Sequence, residues 1–329
     1  MTSKALPRVH IIVLGGTITM MPEPQGGFVP TLSGDDLIAS VPSLADIADL
    51  TVETPFLVPG SSLSFDNIRA VSQRIAAVLE EGADGIVIVQ GTDTIDETAF
   101  LFELAYHGEI PLVVTGAMRG ASAAGADGPA NLLAAVTTAS SEEARGLGTL
   151  VVLNDEIHAA RFVEKSHKAL PSAFASPSAG PLGAVIENQV RILVRPDRLP
   201  TLGPMPELKR IAIIKLGLGD DGDLIQCAID LGYAGLVIEG MGAGHVPAAV
   251  LPALEAVAGS IPIVLTSRVP AGPVFENSYG FAGSEKDLRQ RGLIPAGALT
   301  ATKARLLLAF LVANEHSDAT ITSVFRRYR

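Results

Sequence analysis

The stretch Gly85-Ile86-Val87-Ile88-Val89-Gln90-Gly91-Thr92-Asp93-Thr94 runs from a continuous apolar segment directly into a polar turn. A second apolar run, residues 9–14, leads in the same way into Gly15-Gly16-Thr17-Ile18. Continuous apolar runs, as opposed to alternating ones, are typical of parallel strands that are buried on both faces. The carboxyl ends of such strands share one edge of the sheet, where α/β folds place their chemistry. We therefore expect both threonine-bearing turns in one crevice, with a threonine hydroxyl as the candidate nucleophile.

Strand-like apolar runs alternate with helical patterns along the rest of the chain, and this alternation predicts an α/β fold. Further strand-like runs occur at residues 110–114, 149–153, 211–215, 234–238 and 261–265. Helical patterns lie between the runs, at residues 33–48, 66–81, 95–106, 131–139, 221–231, 246–258 and 302–314. Residues 195–207 contain four prolines and show little periodicity, which is typical of a linker. The pattern predicts a larger N-terminal domain (1–194) with a mostly parallel sheet flanked by helices, a linker (195–210) and a smaller C-terminal α/β domain (211–329).

Composition excludes several classes of protein. Of the 329 residues, 48% are hydrophobic and 18% are charged, which argues for a packed core and against disorder. The net charge of -11 argues against nucleic-acid binding. No run approaches the roughly 18 apolar residues that a membrane span needs. The N-terminus has no apolar segment typical of a signal peptide, so we expect a cytoplasmic protein. Cys227 lies in an apolar stretch, and we expect it to be a buried structural thiol.

The polar residues favour hydroxyl chemistry without a metal or an organic cofactor. The six histidines show no zinc-binding spacing, and the serines show no G-x-S-x-G motif. The glycine-rich fingerprints of nucleotide-binding loops are also missing. Thr92 and Asp93 are not explained as ordinary helix-start residues, whereas Thr94 is. Lys165, taken alone, is more often a solvated surface charge than a functional group.

Five motifs together carry a resemblance to a known family. They are Gly15-Gly16-Thr17-Ile18, Gly91-Thr92-Asp93-Thr94-x-x-Glu97-Thr98-Ala99, Thr115-Gly116-Ala117-Met118-Arg119, Asp127-Gly128-Pro129-x-Asn131-Leu132 and Ser267-Arg268-Val269-Pro270-x-Gly272. In this order they resemble the bacterial-type L-asparaginases, a family that includes the glutaminase-asparaginases. The resemblance implies a homotetramer built as a dimer of intimate dimers. Each active site would lie between the N-terminal domain of one subunit and the C-terminal domain of its neighbour.

The resemblance also implies roles for individual side chains. Thr17 corresponds to the nucleophile that attacks the substrate's side-chain amide. Thr92, Asp93 and Lys165 correspond to a second triad, in which the lysine eases deprotonation of a threonine hydroxyl. Asp93 also corresponds to the residue that holds the substrate α-amino group. The other implied substrate-binding residues are Ser61 for the α-carboxylate, its neighbour Ser62, Ala117, and Glu285 offered by the neighbouring subunit.

Three positions depart from the family pattern. Phe28 stands where the family usually has a tyrosine that helps to activate the nucleophile, in a segment (19–34) that we expect to be a mobile lid. Ser62 stands in place of a glutamine beside the carboxylate-binding serine. His245 is the nearest match to an asparagine that contacts the active site.

The sequence leaves three functions open. The first is hydrolysis of L-asparagine to L-aspartate and ammonia through an acyl-enzyme on Thr17. The second is a glutaminase-asparaginase that also uses L-glutamine, because one methylene gives discrimination of only about 1–3 kcal/mol. The third, from a different class, is a non-catalytic amino-acid-binding sensor.

Overall fold

The computed structural model describes residues 5–329, and their contacts divide the chain into two compact units between Pro204 and Met205. Each unit has its own main sheet, with eight strands in the first and four in the second, and the first unit also has two two-stranded sheets. The predicted α/β fold, with a large mostly parallel sheet and a smaller second sheet, is confirmed. The exact domain and linker limits stay a prediction.

The large sheet of the first unit combines a parallel centre with one antiparallel edge. The strands of this unit are β1 (Arg8–Val13), β2 (Met20–Pro22), β3 (Phe28–Pro30), β4 (Asp49–Glu53), β5 (Gly85–Val89), β6 (Leu112–Thr115), β7 (Thr149–Leu153), β8 (Glu156–Ala159), β9 (Glu164–Lys165), β10 (Phe174–Ala175), β11 (Gly183–Ile186) and β12 (Gln189–Ile192). The sheet has the order β12-β11-β8-β7-β6-β5-β1-β4. Strands β4, β1, β5, β6 and β7 pair in parallel, and β8, β11 and β12 continue antiparallel. All five residues of β5 are buried, as its continuous apolar sequence predicts.

The helices of the first unit follow the predicted pattern with one exception. They are α1 (Gly34–Ala39), α2 (Phe65–Glu80), α3 (Ile95–Ala105) and α4 (Gly128–Ala139). Ser33 and Ser64 cap α1 and α2 through reciprocal side-chain and backbone hydrogen bonds. The helix predicted for residues 33–48 ends at Ala39, and a short 3-10 helix, Pro42–Asp46, follows it. Proline has no N–H to donate, so the α-helix cannot continue through Pro42.

The segment predicted as a lid contains a β-hairpin. Strands β2 and β3 pair antiparallel, with Met21 opposite Val29. The backbone reverses at Gly26 and Gly27, whose φ angles of 90° and 93° favour glycine. The glycines and prolines of this segment therefore correspond to a hairpin and its turn. The segment is not an irregular loop along its whole length. Its mobility stays a prediction.

The second unit is a four-stranded parallel sheet with five helices in the described chain. Its strands are β13 (Ala212–Lys215), β14 (Leu236–Gly240), β15 (Ile263–Ser267) and β16 (Ile294–Pro295), hydrogen-bonded in that order. Its helices are α5 (Asp223–Asp230), α6 (Leu251–Val257), α7 (Glu285–Gln290), α8 (Ala301–Ala313) and α9 (Asp318–Phe325). The six-residue α7 and the eight-residue α9 were not predicted, because two turns or less give little periodic signal.

The expectation for Cys227 is wrong. Helix α5 buries Ile225 and Ala228, whereas Cys227 is exposed on another face of the same helix. A continuous apolar stretch in a short helix does not identify the buried face. Across residues 5–329, no helix has both the length and the apolarity required to cross a bilayer.

Candidate active site

Three turns at the carboxyl edge of the first unit's sheet meet through glycine backbone. A Cβ placed on Gly16 would lie 2.1 Å from the Cα of Gly91, and one on Gly60 would lie 2.7 Å from the Gly91 carbonyl oxygen. Gly16 also has a φ of 87°, which favours glycine. We call this contact of Gly16, Gly60 and Gly91 the glycine junction. Because side chains would not fit there, the turns that carry Thr17, Ser61 and Thr92 approach one another at backbone distance.

The turn after β5 holds a Thr–Lys–Asp cluster. Lys165 Nζ lies 3.0 Å from Thr92 Oγ1 and 2.7 Å from Asp93 Oδ1. Thr92 is 5% exposed, whereas the Asp93 side chain is 61% exposed. The lysine therefore links a buried hydroxyl to a carboxylate that faces solvent. On sequence alone Lys165 is an ordinary surface charge, and the structure instead places it in this cluster.

The backbone of Lys165 is fixed from two sides. In the β9–β10 pair, Lys165 lies opposite Phe174. Its N–H also donates to Asp96 Oδ2 at 3.2 Å, on the first turn of α3. An acid in the first turn of a helix is common, so nothing in the local sequence of Asp96 indicates this contact with the Lys165 backbone.

A buried histidine lies behind the β9–β10 pair. His158, 1% exposed, has its Nδ1 3.0 Å from Ser176 Oγ, directly after β10. Burial lowers the pKa of His158 below its ordinary value, and the nearby Glu156 carboxylate opposes that shift only in part. The contact with Ser176 therefore ties His158, on β8, to the residue that follows β10, the strand that pairs with Lys165.

Side chains of the same turn tie it to the loop that carries Ser61. Thr94 occupies the N-cap position of α3, as expected, but its hydroxyl donates to the Gly60 carbonyl at 3.1 Å and does not cap the helix. The buried Gln90 lies next to it, with Nε2 3.3 Å from Thr94 Oγ1. Thr98 in turn donates to Gln90 Oε1 at 2.8 Å. These bonds hold the two turns in one position.

The turn after β6 is shaped by two polar side chains of the Asp127–Asn131 motif. Asp127 accepts the N–H groups of Met118 and Arg119 at 2.9 and 2.8 Å. Asn131 donates to the Gly116 carbonyl at 2.9 Å. Ala117, between these anchored residues, is fully buried. The motif thus has a structural role in forming the turn that contains Ala117.

The remaining predicted residues of the first unit lie around the glycine junction or on the hairpin. Thr17 is half-buried and begins a one-turn 3-10 helix, Thr17–Thr19. Ser61 and Ser62 are exposed on a second such turn, Gly60–Ser62. Phe28, on β3, is 56% exposed.

Glu285 and His245 lie together in the second unit. Glu285 is fully buried and accepts the N–H groups of Ser278 at 2.7 Å and Tyr279 at 2.6 Å. Burial acts to raise the pKa of Glu285, but these backbone hydrogen bonds and the nearby His245 outweigh it and hold that pKa below its usual value. His245 Nε2 lies 3.3 Å from Glu285 Oε2, and the imidazole contacts the Tyr279 and Phe281 rings edge-on. In this position Glu285 accepts hydrogen bonds from its own loop. Its role as a substrate-binding residue for a neighbouring subunit stays a prediction.

The arrangement suits acyl transfer at a hydroxyl. A half-buried threonine, a lysine-bound threonine and a solvent-facing carboxylate occupy adjacent turns, which is the grouping that nucleophilic catalysis requires. Among residues 5–329 no group of three or more histidine, cysteine, aspartate or glutamate side chains is arranged to hold a metal ion.

Comparison with known proteins identifies the family. The model described as Asparaginase, N-terminal matches residues 8–198, and that of the Glutaminase/Asparaginase C-terminal domain matches residues 210–325. A protein of Deinococcus radiodurans named probable L-asparaginase is 35% identical over 329 residues, 98% of each chain. The glutaminase-asparaginase of Pseudomonas aeruginosa is 32% identical, covering 98% of this chain and 91% of the relative. The crystal structure of a probable cytoplasmic L-asparaginase from Campylobacter jejuni matches with a TM-score of 0.87 and 30% identity, over 97% of this chain and 99% of that one. The chain therefore belongs to the asparaginase family.

Proposed function

We propose that this protein hydrolyses L-asparagine to L-aspartate and ammonia, with Thr17 as the nucleophile. The observation that carries the proposal is the Lys165 contact with both Thr92 and Asp93, on a turn whose Gly91 touches Gly16. Relatives named as L-asparaginases over nearly the full chain support the substrate.

The reaction proceeds in two displacements. In the first, Thr17 Oγ bonds to the side-chain amide carbon, the carbon–nitrogen bond breaks, and the hydroxyl proton leaves with the nitrogen as ammonia. In the second, a water oxygen bonds to the ester carbon, the bond between that carbon and Thr17 Oγ breaks to release aspartate, and a proton from the water restores the Thr17 hydroxyl. Thr92 and Lys165 transfer the proton, and Asp93 holds the substrate α-amino group. Backbone N–H groups near Thr17 and Thr92 stabilise the oxyanion, an interaction typically worth about 3 kcal/mol per donor.

The substrate is held by the exposed side chains around the junction. Ser61 binds the α-carboxylate, with Ser62 beside it. Ala117, which is fully buried within the chain, is assigned to substrate binding on the family resemblance alone. Exposed hydroxyls can donate to a carboxylate without first breaking a buried hydrogen bond, which supports Ser61 in this role. We also assign Glu285 of a neighbouring subunit to substrate binding; within its own chain its carboxylate already accepts two backbone N–H groups.

Dual use of L-glutamine is the second candidate function. It is supported by a relative named glutaminase-asparaginase that is 32% identical to this chain. One extra methylene changes transition-state binding by only about 1–3 kcal/mol, so both activities are compatible with one site.

The assembly that we propose is a homotetramer, acting in the cytoplasm. The tetramer rests on the resemblance of the five sequence motifs to the family. The cytoplasmic location rests on the name of the Campylobacter jejuni structure. Light scattering coupled to size exclusion tests the tetramer, and a monomer at micromolar concentration would refute it.

Ammonia release from L-asparagine and L-glutamine, measured side by side, tests the activity. Thr17→Ala is expected to lower kcat by about 10³-fold or more, because nucleophile loss has effects of that order. Thr17→Ser keeps the hydroxyl and serves as the matched control. Retention of wild-type ammonia release in Thr17→Ala would refute the nucleophile assignment. Aspartate binding with no ammonia release by the wild type would favour the amino-acid sensor.

A further inference from the structure

A cavity of about 470 Å³ lies within the second unit, between α7, the chain entering β16, and the residues that follow α9. Its charged lining consists of Lys286, Arg289, Arg326, Arg329 and Glu276. Counting side chains alone, four cations against one carboxylate give this lining a formal charge of +3, in a chain whose net charge is -11. We call it the basic cavity. A concave surface lined by one sign of charge concentrates the opposite charge.

Two of the four cations are already held in place. Arg329 Nη2 lies 2.6 Å from Glu276 Oε2, and Arg289 Nη1 lies 3.6 Å from the same oxygen. Arg289 also donates to the Glu276 carbonyl at 2.6 Å. One carboxylate therefore positions two guanidinium groups and neutralises only one of their charges. Fixed guanidinium groups lose less conformational entropy when they bind an anion.

The other two cations have no counter-charge. Within residues 5–329, neither Lys286 nor Arg326 has a carboxylate oxygen within 4.0 Å of its charged nitrogens. Both side chains are exposed and line the same cavity as the held arginines. The repulsion among the four cations is thus only partly relieved within the chain.

We propose that the basic cavity binds a small dianion, with a phosphate group or a pair of carboxylates as its recognised chemistry. Guanidinium forks match the oxygen spacing of both groups, and a lysine adds a mobile point charge. The volume lies within the range of about 300–1,000 Å³ typical of small-molecule sites. Lys286 directly follows Glu285, but no lining residue of the cavity is itself among the proposed catalytic or substrate-binding residues, so binding of the anion is measured apart from ammonia release.

Isothermal titration of the intact protein with inorganic phosphate and with succinate tests the proposal, at an ionic strength held constant with NaCl. We expect saturable binding of at least one probe with one site per chain. In the Lys286→Gln/Arg326→Gln double variant, binding of that probe should weaken at least 10-fold. Arg327→Gln is the matched control, because Arg327 is an exposed neighbour outside the lining, and its Kd should stay within 2-fold of wild type.

The two probes separate the sources of the ligand. Preference for phosphate indicates a phosphorylated metabolite, and preference for succinate indicates a dicarboxylate. Heat no larger than that of the NaCl blank would overturn the proposal. Binding that is unchanged in the double variant would also overturn it, because the probe would then occupy another site, such as the one that holds aspartate.

Discussion

The geometry of the Thr–Lys–Asp cluster predicts that replacement of Lys165 by methionine lowers catalytic activity but leaves the stability of the fold nearly unchanged. Methionine approximates the length of the lysine stem but removes Nζ, which lies 3.0 Å from Thr92 Oγ1 and 2.7 Å from Asp93 Oδ1. Loss of the Asp93 contact should affect stability little. That carboxylate is 61% exposed, and ion pairs at exposed positions are typically worth about 0–1 kcal/mol.

Loss of the contact with Thr92 should lower the catalytic rate. Thr92 is buried, so no water readily replaces the missing ammonium. Proton transfer by a positioned side chain contributes about 10²–10⁴-fold, or about 3–5 kcal/mol of activation free energy. We therefore expect kcat for L-asparagine to fall by at least about 100-fold in Lys165→Met.

The assay is ammonia release under saturating L-asparagine, with thermal denaturation of each variant in parallel. Lys168→Met is the matched control, because Lys168 is an exposed lysine only three residues away. Its kcat and melting temperature should equal those of the wild type. The reasoning is refuted if folded Lys165→Met keeps kcat within 10-fold of wild type, or if Lys168→Met loses as much activity.

Further predictions concern the glycine junction, the hairpin and the buried histidine. Gly16→Ala should reduce the free energy of unfolding more than Gly26→Ala. Both glycines have φ near 90°, which costs a residue with a side chain about 1–2 kcal/mol. Of the two, only Gly16 faces other backbone atoms, so steric overlap adds about 1–3 kcal/mol to the cost there. Equal losses of unfolding free energy in urea denaturation would contradict this. Phe28→Tyr should raise kcat for L-asparagine by restoring a hydroxyl, whereas Phe28→Leu should not, and steady-state kinetics in which tyrosine gives no gain would count against a role for that hydroxyl. Because burial keeps the pKa of His158 below that of the unfolded chain, the unfolded state binds more protons and stability should fall as pH drops below about 6.5. His158→Gln should flatten that dependence between pH 5 and 7, and a wild-type slope in the variant would exclude His158 as its source.

The strands at the centre of the large sheet were predictable because each is buried on both faces. Gly85–Val89 and Thr149–Leu153 coincide with continuous apolar runs. The antiparallel edge was not predictable in the same way, because its strands are short and partly exposed. Asn154 and Asp155 form the two-residue turn of the hairpin between β7 and β8, with φ angles of 52° and 61°.

The candidate site also has parts that the sequence predicts and parts that it does not. The turns that carry Thr17 and Thr92 follow from strand position alone. The contact of Lys165 with Thr92 spans 73 residues, and no local pattern encodes it; only the family resemblance indicated that lysine. Asp96 shows a further limit, because the same residue type suits a helix start and a bond to the Lys165 backbone.

The glycine junction restricts where substrate preference can be redesigned. Gly16, Gly60 and Gly91 leave no volume for a side chain unless the backbone shifts, so substitutions at these positions should lower the free energy of unfolding. Ser61, Ser62 and Phe28 are exposed, and exposed substitutions usually change stability by no more than about 0.5 kcal/mol. In the proposed site, selectivity and fold stability therefore depend on different residues. A selection for altered amide hydrolysis can vary Ser61, Ser62 and Phe28 while the glycine junction stays constant.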